Sequence, residues 1–123
     1  MSRDSLLAVI DDDDSFRTAL IELLGSMAYR TRGFASAEEF VAAGEIGSYD
    51  CIITDVHMPG MSGLGLKHLL DRMECRAPVI IVTARAEQGL EGKVLSSGAF
   101  CLLIKPFEAE TLLDRVEKAL IPG

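Results

Sequence analysis

The sequence predicts an α/β domain built on a parallel sheet covered on both faces. Two observations carry that prediction. Five short apolar or β-branched runs alternate with five stretches whose apolar residues recur at helical spacing. Neither a linker nor an internal repeat interrupts the alternation, which is the pattern of strands joined by crossover helices. The chain has 123 residues, 49% of them hydrophobic, which suits a single domain spanning 1–123 with a packed interior.

Leu6 to Ile10 reads as the first strand. After four aspartates, Phe16, Leu20, Leu23, Leu24 and Met27 fall at helical spacing, with Asp14 or Ser15 as the expected helix cap. Tyr29 to Phe34 is a more polar strand, expected at a sheet edge. Ser36-Ala37-Glu38-Glu39 forms a capping box, in which the Ser36 hydroxyl accepts the free N–H of Glu39. The short helix through Phe40 and Val41 then stops near Gly44. Cys51-Ile52-Ile53-Thr54 is the third strand, and Met58 to Gly63 is a turn cluster. Leu66, Leu69, Leu70 and Met73 mark a third helix, with Pro78 as its expected breaker. Val79 to Val82 is wholly apolar, as a central strand buried on both faces requires. Leu90, Val94 and Leu95 suggest a fourth helix. Gly89 and Gly92 weaken it by about 1 kcal/mol each relative to Ala wherever they lie inside it. Ala99 to Ile104 is the fifth strand, and Leu112, Leu113, Val116 and Leu120 mark the last helix.

In such sheets the functional groups gather where the C-terminal strand ends meet the loops. Here those ends carry Asp11 and Asp12, then Asp55, Thr83 and Lys105. Clustered carboxylates supply the oxygen ligands that Mg²⁺ prefers. The cation offsets their mutual repulsion, which would otherwise raise at least one pKa. A carboxylate beside it can act as nucleophile toward a phosphoryl group. Thr83 is placed to hydrogen-bond one phosphoryl oxygen and Lys105 to pair with another as a compact charge. By themselves Asp11 and Asp12 suit a solvated loop equally well, and Asp55 suits a turn cap. The convergence of separate strand ends is what favours a metal and phosphate site. Asp13 and Asp14 are not expected to bind metal directly.

Net charge and composition exclude several classes. At −7 the chain repels a phosphate backbone, so direct nucleic-acid binding is not expected. No apolar run is long enough to span a membrane. Met1-Ser2-Arg3-Asp4 does not lead into a signal-peptide core, so the expected compartment is the cytoplasm. Cys51, Cys75 and Cys101 are odd in number and widely spaced, and they read as reduced, mostly buried thiols.

Four stretches, in order and spread over nearly the whole chain, carry a resemblance. They are Val9-Ile10-Asp11-Asp12-Asp13-Asp14-Ser15-Phe16-Arg17, Asp55-Val56-His57-Met58-Pro59-Gly60-Met61-Ser62-Gly63, Ile81-Val82-Thr83-Ala84, and Gly98-Ala99 through Lys105-Pro106-Phe107. In these the chain resembles the receiver domain of two-component response regulators. The resemblance implies a flavodoxin-like (βα)5 doubly wound sheet with strand order 2-1-3-4-5. It implies that Asp11 and Asp12 hold Mg²⁺, that Asp55 accepts the phosphoryl group, and that Thr83 and Lys105 act as the switch hydroxyl and the phosphate-pairing lysine. His57 and Arg85 match positions that border the site and tune dephosphorylation, and His57 joins Asp11, Asp12 and Asp55 in the expected metal set. The Lys105-Pro106 bond is implied to be cis.

The implied activity is that of a signalling phosphoacceptor, not of an enzyme acting on other substrates; no acid/base Asp stands two residues past Asp55, where His57 is found. The domain would assist only its own Mg²⁺-dependent phosphorylation and dephosphorylation. The implied donor is a sensor histidine kinase or a phosphotransfer protein. The implied output is a switch in the face formed by helix four, strand five and helix five, which then binds a partner, a second copy as a homodimer, or an output domain. The wording of Asp55 to Gly63, with Phe34-Ala35-Ser36-Ala37-Glu38-Glu39-Phe40, most resembles receivers attached to helix-turn-helix transcriptional domains. The chain is thus either a stand-alone receiver or the N-terminal part of a longer regulator.

Two features depart from the family pattern. Three residues before Lys105 the family usually has an aromatic ring that swings inward on phosphorylation, and this chain has Leu102. Period-two alternation puts Phe100 on the same side of the strand, so Phe100 or repacking around Leu102 is expected to perform the switch. The glycine-weakened fourth helix is the second departure. A rival reading is a receiver-like interaction module that never uses phosphate, favoured by Leu102 and opposed by the intact acidic set. A flavin-binding electron carrier of similar architecture is a second rival. It is opposed by the four aspartates where a phosphate cradle would have to be.

Overall fold

The structure, a computed structural model, describes residues 4–121, so residues 1–3, which enter the export-signal reading, lie outside it. Five strands, β1 (Leu6–Ile10), β2 (Arg30–Phe34), β3 (Cys51–Asp55), β4 (Val79–Thr83) and β5 (Cys101–Ile104), pair in parallel in the order β2-β1-β3-β4-β5. Between and after them run α1 (Asp14–Ser26), α2 (Ala37–Ala43), α3 (Gly63–Arg72), α4 (Leu90–Ser96) and α5 (Ala109–Ala119). From β1 the chain first adds β2 on one side and then crosses to add β3, β4 and β5 on the other, so the winding reverses between β1 and β3. The topological switch point, where such sheets open a crevice, therefore falls beside Asp11 and Asp55.

Strand alternation sorts the apolar residues into two layers. Leu7, Val9, Ile53, Ile80, Val82 and Leu103 pack with Leu20 and Leu24 of α1 and Leu112 and Val116 of α5. Ala8, Ile10, Ile52 and Ile81 pack on the other face with Phe40 of α2, Leu66 and Leu70 of α3, and Leu90 and Val94 of α4. Every residue of β3 and β4 is buried, which explains the apolar runs at residues 51–53 and 79–82 that precede their polar ends. The polar β2 is an edge strand, as its composition predicts.

The helix ends correct three expectations. The cap of α1 is Asp13, not Asp14 or Ser15: its carboxylate accepts the Phe16 N–H at 3.1 Å, while Asp14 already lies in the first turn and pairs with Arg17. Pro78 does not end α3. That helix closes earlier, where Glu74 adopts φ 59° and the Cys75 N–H returns to Leu70 O at 2.9 Å, a left-handed cap that needs no proline. Gly89 lies outside α4 as its left-handed cap at φ 84°, so only Gly92 weakens the helix interior. The capping box of α2 is present: Ser36 Oγ accepts the Glu39 N–H at 3.0 Å, and Glu39 reaches back to the N–H of Ala35. All three cysteines are free, and burial pushes the Cys51 thiol up to about 12, which keeps it protonated and unreactive at neutral pH.

Candidate functional site

Strand ends bring the predicted residues to one edge. Asp11 follows β1 and is fixed by its N–H, which donates to Phe34 O of β2 at 3.0 Å, and by its carbonyl, which accepts the Arg17 guanidinium at 2.6 Å. Asp55 closes β3, Thr83 closes β4, and Lys105 directly follows β5 and is joined to Pro106 by a cis bond. One carboxylate oxygen from each of Asp11, Asp12 and Asp55 lies within 4.8 Å of the others. Asp11 is 1% exposed and Asp55 6%, whereas Asp12 faces solvent, so the cluster is buried on one side and open on the other.

The Lys105 ammonium is the one cation inside this group among the described residues. Its Nζ donates to Asp11 Oδ2 at 2.9 Å and to Asp55 Oδ2 at 3.2 Å. Burial raises the Asp11 pKa and the Asp55 charge adds to that, while the Asp13 N–H and Lys105 oppose it. For Lys105, burial pulls downward, but the two carboxylates outweigh it and the net shift is upward. Two buried carboxylates thus share a single ammonium, and the exposed Asp12 adds a third negative charge beside them. A hard divalent cation fits such a set, since oxygen donors with excess negative charge are what it requires.

Two predicted residues, His57 and Phe100, are placed differently from expectation, and Thr83 stands where expected with its hydroxyl bonded locally. The His57 ring is not in the metal set. Only its main-chain N–H engages the site, donating to Asp55 Oδ1 at 3.2 Å. Its Nε2 turns instead to within 3.2 Å of Glu87 Oε1, without hydrogen-bond alignment. The Thr83 hydroxyl is engaged locally: it donates to Arg85 O at 3.0 Å and accepts the Arg85 N–H at 3.1 Å. Phe100 precedes β5 at the opposite edge of the sheet, 41% exposed and bordering a groove with Pro78 and Ile121. Its position before the strand puts Phe100 at the wrong end of the sheet to reach the site. Leu102 is half-buried and faces a cavity of about 250 Å³ with Ala86, Gly89, Leu90 and Ile104.

Three further residues shape the site. The Phe16 ring, expected only as part of the core face of α1, lies under Lys105 with the ammonium 3.9 Å from its centroid, and Phe107 meets it edge-on at 6.0 Å. Gly63 abuts the main chain of Asp55, where a Cβ would stand 2.2 Å from Asp55 O. Glu38 of α2 accepts the Met61 N–H at 2.7 Å and so ties down the loop after Asp55. A glycine opening a helix is a detectable signal of close backbone approach; the other two depend on contacts between distant segments.

An edge with three carboxylates, one ammonium and one hydroxyl on a doubly wound sheet defines a phosphoacceptor class of α/β signalling domain. The particular family follows from comparison. Residues 7–117 match the response regulator receiver domain, and the chain belongs to that family. Transcriptional regulatory protein TdiR of Thauera aromatica is 34% identical over 116 residues, covering 94% of this chain and 51% of that protein. Transcriptional regulatory protein FixJ of Azorhizobium caulinodans is 37% identical over 112 residues, covering 91% and 53%. The chain therefore spans about half the length of these curated relatives. Among solved structures, the crystal structure of FixJ-N superposes with a TM-score of 0.88 at 27% identity, covering 98% of this chain and 95% of that one. The BeF3-activated DrrB receiver domain gives 0.88 at 27% identity, covering 97% and 99%. The chain is thus a flavodoxin-like receiver domain of two-component response regulators. Among its described residues no helix is long and apolar enough to cross a membrane.

Proposed function

We propose that Asp55 is the phosphoacceptor and that the donor is a sensor histidine kinase or a phosphotransfer protein. The observation that carries this reading is the meeting of Asp11, Asp12 and Asp55 with Lys105 at the switch point of the sheet. In the proposed step an Asp55 oxygen bonds to phosphorus, the bond to the donor nitrogen breaks, and the donor leaves with that electron pair. Asp11, Asp12 and Asp55 would hold Mg²⁺, which when bound supplies the positive charge that offsets the carboxylates and the incoming phosphoryl oxygens. Lys105 gives up Asp11 to pair with a phosphoryl oxygen. Thr83 exchanges its bond to Arg85 O for one to the phosphoryl group.

That exchange moves the turn leading into α4, a helix of seven residues with no side-chain cap. The face formed by α4, β5 and α5 then changes its affinity for a partner, for a second copy, or for an output domain. With the wider ring absent at Leu102, repacking around Leu102 and Ile104 in the α4–β5 cavity transmits the change. The relatives named as transcriptional regulators support a role upstream of transcription. His57 and Arg85 border the site and set how fast the acyl phosphate hydrolyses.

The test is intact mass after incubation with acetyl phosphate. A phosphoryl adduct that requires Mg²⁺ and is missing from Asp55→Ala is the expected result. Labelling that persists in Asp55→Ala, or no labelling by either acetyl phosphate or a phosphorylated kinase, would overturn the assignment.

A further inference from the structure

We infer that Phe16 is a positioning residue for Lys105: its ring face seats the ammonium and holds it aimed at Asp55. The inference rests on the phosphoacceptor reading and adds to it a group that touches neither metal nor phosphate. Lys105 has a long flexible stem, and its Nζ must serve two partners in turn, Asp11 before phosphorylation and the phosphoryl oxygens after it. A third carboxylate beside it would hold it too tightly, and water would leave it mobile. An aromatic face does neither. It attracts the cation through its quadrupole, makes no directional hydrogen bond, and lets Nζ slide between acceptors.

The geometry meets those requirements. Nζ lies 3.9 Å from the Phe16 centroid, within the range of a favourable cation–π contact, while 2.9 Å and 3.2 Å bonds reach to Asp11 and Asp55. The Lys105 side chain is only 15% exposed, so the contact is largely desolvated, where it counts most. Phe16 is itself oriented. It stands in the first turns of α1, just past the Asp13 cap, and the Phe107 edge meets its ring at 88°. The loop after β5 therefore fixes both the lysine, at position 105, and the ring that steadies its seat, at position 107.

The experiment pairs a spectroscopic with a kinetic readout on the whole chain. In the native protein the Lys105 ε-methylene protons should resonate upfield of those of Lys93 and Lys118, because they lie over a ring. Phe16→Leu keeps apolar volume but removes the π face. It should abolish the upfield shift and slow phosphorylation by acetyl phosphate, at saturating Mg²⁺, about three- to tenfold. Phe16→Tyr should retain both properties, and the Mg²⁺ affinity should be the same in all three. A merely structural Phe16 would lower the melting temperature of the Leu variant without touching the rate at saturating Mg²⁺. That result, or unshifted Lys105 protons in the native chain, overturns the proposal. A native chain that keeps the shift yet takes no phosphoryl group from any donor overturns the phosphoacceptor reading instead, and removes the catalytic purpose of the seat.

Discussion

At the scale of single residues the charge balance around Lys105 has a measurable consequence. Its folded pKa is raised above 10.5, because Asp11 and Asp55 outweigh the cost of burial. A cation bound more tightly to its proton in the folded state contributes stability that is fully present below the unfolded value. That stability is lost as pH rises through the higher folded value. Removing the ammonium leaves two buried carboxylates without their cation, so Lys105→Met should destabilise the Mg²⁺-free domain by about 2–4 kcal/mol at pH 7. The gap between native and variant should narrow as pH climbs from the ordinary lysine value towards the raised folded one, because the unfolded chain then gives up its proton before the folded chain does. Urea midpoints from pH 7 to 11 measure both. A gap that widens with pH would show that the ion pair is not what stabilises the edge.

At the scale of elements, two glycines in helices behave oppositely. Gly63 opens α3 hard against β3: an added Cβ would stand 2.2 Å from Asp55 O, a backbone atom that cannot swing away. Gly92 sits inside α4 with nothing within 4 Å of the corresponding position. Helix propensity favours Ala at both sites by up to about 1 kcal/mol, so only the surroundings distinguish them. Gly63→Ala should lose about 2–3 kcal/mol and disturb the loop that carries His57, since overpacking against a fixed neighbour displaces backbone. Gly92→Ala should gain about 0.5–1 kcal/mol and stiffen α4. Equilibrium unfolding of the two variants separates them, and a stabilised Gly63→Ala would mean that α3 is free to withdraw from Asp55.

The whole molecule couples its edge to its fold through metal linkage. Three carboxylates assemble only when β1 and β3 are paired, so the unfolded chain offers no comparable site. A ligand that binds the native state alone stabilises it by about 2.7 kcal/mol at one hundred times its dissociation constant. For a domain of this size each kcal/mol is worth about 3–5 °C. The melting temperature should therefore climb steadily with the logarithm of Mg²⁺ concentration, and Asp12→Asn should flatten the slope. Asp12 is the member of the set to change because it is exposed, and its loss leaves the buried pairing of Asp11 and Asp55 with Lys105 in place. Indifference of the native chain to Mg²⁺ would sink the metal assignment.

The five strands and five helices, the edge position of β2, and the residues that stand at the sheet's functional edge are all written in the order of the amino acids. These features are local: periodicity of two or 3.6 residues, and the identity of the residue just past each apolar run. The strand order came through resemblance, since it depends on which strands pair across long stretches of chain. The wiring of that edge arose with the folded packing. That packing turned the His57 ring to Glu87, engaged Thr83 with Arg85, sent Phe100 to the far end of the sheet, and set Phe16 beneath a lysine 89 positions away. Local spacing cannot foretell these arrangements, because each depends on side chains from separate loops reaching one place. That meeting exists only after the two hydrophobic layers have closed on the sheet.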